Sequence, residues 1–221
     1  MSDFAISRQD MVDGQVRPSD VTDLRIIDAM LAVPREAFVP EAKRPIAYLD
    51  LDIDVAAGGK AKRHLIKPAV LARLLQAAGI TADDSVLVVG CASGYSAAVI
   101  SHLARQVAAT EPDAALAATA QANLASLGIT NVTVGAAEPA EGDPAHGPYD
   151  VIVLDGATGI EPQGLYSQLR RDGRLVGVFG TSQPPRAMLV AQSPGDFGHR
   201  VLFDASAPVL PGLERVPEFT F

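Results

Sequence analysis

Residues 85–95 read SVLVVGCASGY, and the reading of the whole chain turns on them. Val86, Leu87, Val88 and Val89 are apolar without alternation, which predicts a strand covered on both faces in the middle of a parallel sheet. Gly90 and Gly94 bracket a turn, and a helical pattern follows over 96–105. Glycine has no Cβ, so the backbone of such a turn can approach a ligand closely, with the first amides of the helix facing electron-rich atoms such as a carboxylate. Read alone, the pentapeptide is equally compatible with a tight strand-to-helix turn that binds nothing.

The spacing of the small residues narrows the ligand. A dinucleotide site needs G-x-G-x-x-G, whereas Gly90, Ala92 and Gly94 give G-x-A-x-G and the later place is Tyr95. With Cys91 and Ser93 inside it, the turn resembles the G-x-G-x-G by which methyltransferases hold S-adenosylmethionine, with alanine at the central place. A second strand is expected over 106–109, with Glu111 and Pro112 just past it. A carboxylate at a strand end about twenty residues beyond the glycine turn is placed to accept hydrogen bonds from a ribose; the plainer alternative is a solvated acid.

The 221 residues suffice for one domain with a full core. A net charge of -8 disfavours a general nucleic-acid surface, which needs Lys and Arg in excess. The single cysteine, Cys91, excludes a disulfide within the chain and fits a reducing compartment; it is read as a small buried residue in preference to a reactive thiol. No apolar run reaches the roughly 18 residues of a membrane helix, and no leader pattern opens the chain, so a soluble cytoplasmic protein is expected. The four histidines lack ligand spacing, and no metal site is expected.

Over 7–31 helix formers predominate, broken at Arg17-Pro18. Met11, Val12 and Val16 give one apolar stripe, and Ile26, Ile27, Met30 and Leu31 another after a cap at Thr22 or Ser19, so two short amphipathic helices are expected. These segments, with VPREAFVP over 33–40, YLD over 48–50, the strand and turn over 86–95, YDVIV over 149–153 and QLRRDGRLV over 168–176, resemble the protein-L-isoaspartate O-methyltransferases. The likeness spans about residues 8–180, and the 33–40 segment is its most particular part. It implies an S-adenosylmethionine cofactor and methylation of a protein or peptide carboxylate.

Residues 53–68, IDVAAGGKAKRHLIKP, depart from the family pattern. The resemblance implies Gly-Gln-Thr-Ile-Ser-Gln-Pro here, its serine beside the substrate carboxylate and its loop over the cofactor. Anchored on Pro68, the serine becomes Ile66, which cannot donate a hydrogen bond. Lys60, Lys62, Arg63, His64 and Lys67 make this segment basic, and three readings stay open: a solvated loop, His64 or Lys67 standing in for the lost polar group as a catalytic candidate, or a lid hinged at Gly58-Gly59. Val88 also stands where the family carries an acid. Counted from Val134, Ala137 and Glu138 fall where the resemblance implies a contact to adenine. Asp155, ending a strand expected over 149–156, either lines the crevice at the strand ends or caps the next loop.

Elsewhere the pattern predicts helices over 68–78, 112–127 (Leu116, Ala120, Leu124 and Leu127 inward) and 163–169, strands over 132–134 and 173–180, and a hairpin of 187–191 with 200–203. The proline-broken tail, 208–221, is expected along the surface or against a second subunit. The fold class is α/β, implied to be a three-layer Rossmann-like S-adenosylmethionine-dependent methyltransferase fold: a mostly parallel seven-stranded sheet, an antiparallel C-terminal hairpin and an N-terminal helical cap. A single domain is expected, with cap and lid loop over 1–67, core over 68–206 and tail over 207–221. The expected function is carboxylate methylation; the alternative is a relative that binds the cofactor without isoaspartyl repair, and the acceptor is a protein or peptide carboxylate or an acidic small molecule, with no nucleic acid or membrane.

Overall fold

The structure is a computed structural model that describes residues 3–56, 62–193 and 196–215. Lys60 and the Gly58-Gly59 hinge lie outside the described residues.

The chain opens with α1 (Asp3–Met11), which runs into a single π-helical turn, Val12–Val16, and a 3-10 turn, Arg17–Ser19, before α2 (Leu24–Ala32). The break at Arg17-Pro18 follows from proline's missing N–H. The cap of α2 is Asp23, whose carboxylate accepts from the Arg25 amide, rather than Thr22 or Ser19; the Thr22 amide is turned to Gln76 Oε1 at 2.7 Å. Two 3-10 turns, Arg35–Phe38 and Glu41–Ile46, lead to β1 (Ile53–Asp54), which pairs antiparallel with β2 (His64–Leu65), a hairpin too short to leave an alternation in the sequence.

Next comes α3 (Pro68–Ala78), with proline in its first turn and Gly79 at φ 58° closing it. The core then alternates: β3 (Ser85–Val89), α4 (Tyr95–Ser101), β4 (Gln106–Thr110), α5 (Ala114–Ser126), β5 (Val132–Gly135), β6 (Tyr149–Thr158), α6 (Gln163–Tyr166), β7 (Leu169–Phe179), β8 (Arg186–Ser193) and β9 (Asp196–Asp204). Some boundaries differ from expectation. The second core helix starts only after Asp113, whose carboxylate accepts from the Ala115 and Leu116 amides, and Leu127 lies beyond its end and is exposed. The helix over 96–105 stops at Ser101, that over 163–169 stops at Tyr166, and Leu169 already belongs to the next strand.

The seven-stranded sheet has the order β5-β4-β3-β6-β7-β8-β9. Pairs from β5 to β7 are parallel, and β7-β8 and β8-β9 are antiparallel. Ser85–Val89 is buried throughout, which explains its lack of alternation: Val86 and Val88 face the core under the helices, while Leu87 and Val89 face a second core with Leu154, Leu165 and Phe179. Strand order reverses between β3 and β6, and open α/β sheets bind ligands in the crevice at such a point.

Over residues 208–213 the tail is built into the end of the sheet rather than laid along the surface. Ala157 donates to Pro208 O at 2.8 Å, Leu210 donates to Ala157 O at 2.8 Å and Gly159 donates to Leu213 O at 2.7 Å, so residues 208–213 run beside the end of β6. Leu210 and Leu213 are 1% and 0% exposed, which makes them core. These bonds also explain why β6 continues past Asp155 to Thr158.

Candidate functional site

The turn between β3 and α4 takes left-handed backbone at Gly90 (φ 74°), Ala92 (φ 49°) and Gly94 (φ 98°). Glycine supplies two of these without cost, and Ala92 is held there by its surroundings. Gly90 and Cys91 donate their amides to Thr110 O at 2.8 and 2.9 Å, the Ser93 hydroxyl donates to Phe38 O, and Asn123 Nδ2 donates to Ser93 O at 3.0 Å. The turn is thereby tied to β4, α5 and the N-terminal region. Burial pushes the Cys91 thiol up, and Glu111 and Asp155 add to it, so this cysteine is an inert small residue.

Glu111 stands at the tip of β4, fully buried, and its carboxylate is already engaged. Arg63 donates through Nε to Oε1 at 2.9 Å and through Nη2 to Oε2 at 2.8 Å, and the Ala92 amide donates to Oε2 at 2.8 Å. Arg63 Nη2 also donates to Gly90 O at 2.8 Å. The arginine is 3% exposed; burial works against its charge, but the hydrogen bonds and charge of Glu111 outweigh burial and raise its pKa. Arg63 is the residue that the sequence pattern did not single out. Its only signal is a cation in a segment that the family likeness places over the cofactor.

Asp155 lies beside this pair, 1% exposed and, among the described residues, with no hydrogen-bond partner on either oxygen. Burial raises its pKa to about 6, while the Ser96 side chain and the guanidinium groups of Arg63 and Arg35 pull it down. Arg35 is fully buried, donates to Ala47 O at 2.8 Å and Ile66 O at 2.9 Å, and stacks 4.6 Å from the centroid of the Tyr95 ring. The Tyr95 hydroxyl is buried and has no hydrogen-bond partner among the described residues.

The remaining candidates are spread around this centre. Pro112 and Ala137 are half-buried and Glu138 is exposed; a Cβ built on Gly212 would stand 3.9 Å from Glu138 Oε2, so this carboxylate adjoins the tail. His64 sits opposite Asp54 in β2, its pKa lowered by burial against the opposing charges of Asp54 and Asp52. Lys67 is the N-cap residue of α3, and its amide donates to Asp52 Oδ1 at 3.0 Å. Among the described residues, no hydrogen bond joins His64 or Lys67 to the glycine turn, and no group of three or more His, Cys, Asp or Glu gathers to hold a metal.

The donor set suits a nucleoside: a glycine turn with left-handed backbone, and an acid on the adjacent strand tip. The space above it is filled by the chain itself. A Cβ on Gly90 would stand 2.6 Å from Leu210 Cδ2 and 2.8 Å from Arg63 Nη2, and one on Gly156 would stand 2.8 Å from Leu210 Cδ2.

Comparison with known proteins assigns the lineage. The family model of protein-L-isoaspartate(D-aspartate) O-methyltransferase matches residues 7–197. The protein-L-isoaspartate O-methyltransferase of Koribacter versatilis is 36% identical over 195 residues, 88% of this chain and 86% of that protein. That of Rhodopseudomonas palustris is 36% identical over 206 residues, 92% and 93% of the two chains. Among solved structures, a protein-L-isoaspartate O-methyltransferase superposes with a TM-score of 0.83 at 24% identity, covering 94% of this chain and 67% of that one. A Plasmodium falciparum structure in complex with S-adenosyl-L-homocysteine superposes at 0.72 and 17% identity, covering 95% and 99%. On this match along most of its length, the chain belongs to the protein-L-isoaspartate(D-aspartate) O-methyltransferase family.

Proposed function

We propose that the protein is an S-adenosylmethionine-dependent methyltransferase that esterifies a carboxylate, an isoaspartyl side chain of a protein or peptide being the acceptor. One observation carries the reading: the left-handed turn at Gly90, Ala92 and Gly94 faces the crevice at the β3-β6 reversal, with Glu111 on the neighbouring strand tip. The turn and Glu111 would hold the adenosyl and methionine parts, with Glu138 on the adenine side. When bound, the cofactor supplies an electrophilic methyl group on a sulfonium.

The rest falls to the chain. A carboxylate is already nucleophilic, so what it needs is alignment and exclusion of water rather than a base. Cys91, Ala92, Ser93 and Tyr95 are all at most 2% exposed, which gives the turn a dry floor.

A second reading, cofactor binding without isoaspartyl repair, is favoured by Ile66. Where the family likeness implies a serine hydroxyl, this side chain is 1% exposed and its carbonyl is bound by Arg35. Asp52 and Asp54 beside His64 would also repel an acceptor carboxylate on that side. Calorimetry with S-adenosylmethionine and transfer of labelled methyl to an isoaspartyl peptide separate the two. Turnover supports the first, binding without turnover supports the second, and absence of both at millimolar cofactor overturns both.

A further inference from the structure

The crevice is closed from two sides by parts of the chain far apart in sequence. From one side comes Arg63, whose guanidinium spans Glu111 and the Gly90 carbonyl with three bonds of 2.8 to 2.9 Å. From the other comes Leu210, which lies against both Gly90 and Gly156 and is 1% exposed. Leu210 is held in place by its amide's bond to Ala157 O and by the Gly159 bond to Leu213 O. Neither contact is a surface accident, because Glu111, Gly90, Gly156, Ala157 and Leu213 are themselves buried.

We infer that this chain occludes its own cofactor crevice: Arg63 occupies the carboxylate of Glu111, Leu210 occupies the space over Gly90 and Gly156, and both must withdraw before a nucleoside can be seated. The inference rests on the proposed cofactor reading and adds a regulatory contact to it. Glu111 has no acceptor position left for ribose hydroxyls while Arg63 takes two, the Ala92 amide a third and the Asp113 amide, at 3.3 Å, the fourth, and the methyl groups of Leu210 stand where an approaching ligand would need room against the glycine backbone. Binding is then coupled to opening, and the apparent affinity is reduced by the fraction of molecules that are open.

The test is calorimetric titration of S-adenosyl-L-homocysteine into the full chain and into Leu210→Ala and Arg63→Gln, with thermal unfolding of each confirming a folded protein. Leu210→Ala shortens the plug without touching the buried ion pair, so it stays informative if Arg63→Gln does not fold. The expected result is binding at least about tenfold tighter in Leu210→Ala than in wild type, as follows when the open fraction is below about one tenth. Equal, measurable affinity in wild type and Leu210→Ala overturns the occlusion and leaves the cofactor reading standing. No binding by any of the three proteins overturns both.

Discussion

Both oxygens of Asp155 are buried without a hydrogen-bond partner among the described residues, and burial lifts its pKa from 3.8 to about 6. The folded chain therefore holds this proton more tightly than the unfolded chain. The stability it contributes is fully present below about pH 4 and is lost as the pH rises through about 6, a change of ~3 kcal/mol. Asp155→Asn removes that loss. Urea unfolding at pH 4 and pH 7.5 should show the variant gaining on wild type at the higher pH by up to ~3 kcal/mol, and a gap that does not widen would mean the carboxyl ionises without penalty. Glu111 is the opposite case, a buried acid with a matched cation. Glu111→Ala leaves the Arg63 guanidinium buried and unpaired, with an expected loss of ~3–5 kcal/mol, whereas the double variant Glu111→Ala/Arg63→Met should recover part of it because two apolar groups replace the pair. Unfolding midpoints of the single and double variants check this, and equal losses in both would show that the pair is not coupled.

The strand, turn and helix from Ser85 to Ser101 form the element that the sequence displayed most openly, and the reason is that its determinants are local. Four apolar residues in a row demand two covered faces, and glycine at Gly94 meets a φ of 98° that side chains resist. Gly94 also packs against a neighbour: a Cβ there would stand 3.1 Å from Ala120 Cβ and 3.4 Å from Ala120 Cα, whereas one on Gly128, at φ 69°, would meet none of the described residues within 4 Å. Gly128→Ala should then cost only the backbone term, about 1–2 kcal/mol, and Gly94→Ala clearly more. Comparable unfolding free energies for the two variants would remove crowding by α5 as a cause. What the sequence hid at this scale was decided by distant partners. Arg63 meets Glu111 across 48 positions, Leu210 reaches Gly90 from the far end of the chain, and neither contact leaves a period or a spacing to read. Over 208–213 the tail reads as a surface strap because its prolines break every pattern, whereas Leu210 and Leu213 are core.

At the scale of the whole molecule, Arg35 fastens the N-terminal region to the crevice. Fully buried, it donates to Ala47 O in the N-terminal region and to Ile66 O ahead of α3, and it lies over the Tyr95 ring at the start of α4. Burial lowers its pKa while its contact with Tyr95 and the charge of Asp155 oppose that, so Arg35 and Asp155 stabilise each other's charged forms. Arg35→Met keeps much of the volume but orphans two buried carbonyls and withdraws one of the cations facing Asp155. The expected cost is ~2–5 kcal/mol, from the desolvation of those carbonyls and the lost stacking. Its distribution distinguishes a clamp from a general core residue: amide exchange should quicken over 33–48 and 62–67 while the amides of β3 keep their protection. The withdrawal of positive charge should also raise the pKa of Asp155, so that on the Arg35→Met background the gap between Asp155→Asn and its parent keeps widening to a higher pH and ends larger. Uniform acceleration of exchange across β3 and the N-terminal region together would show that Arg35 supports the core as a whole and that the two regions open as one.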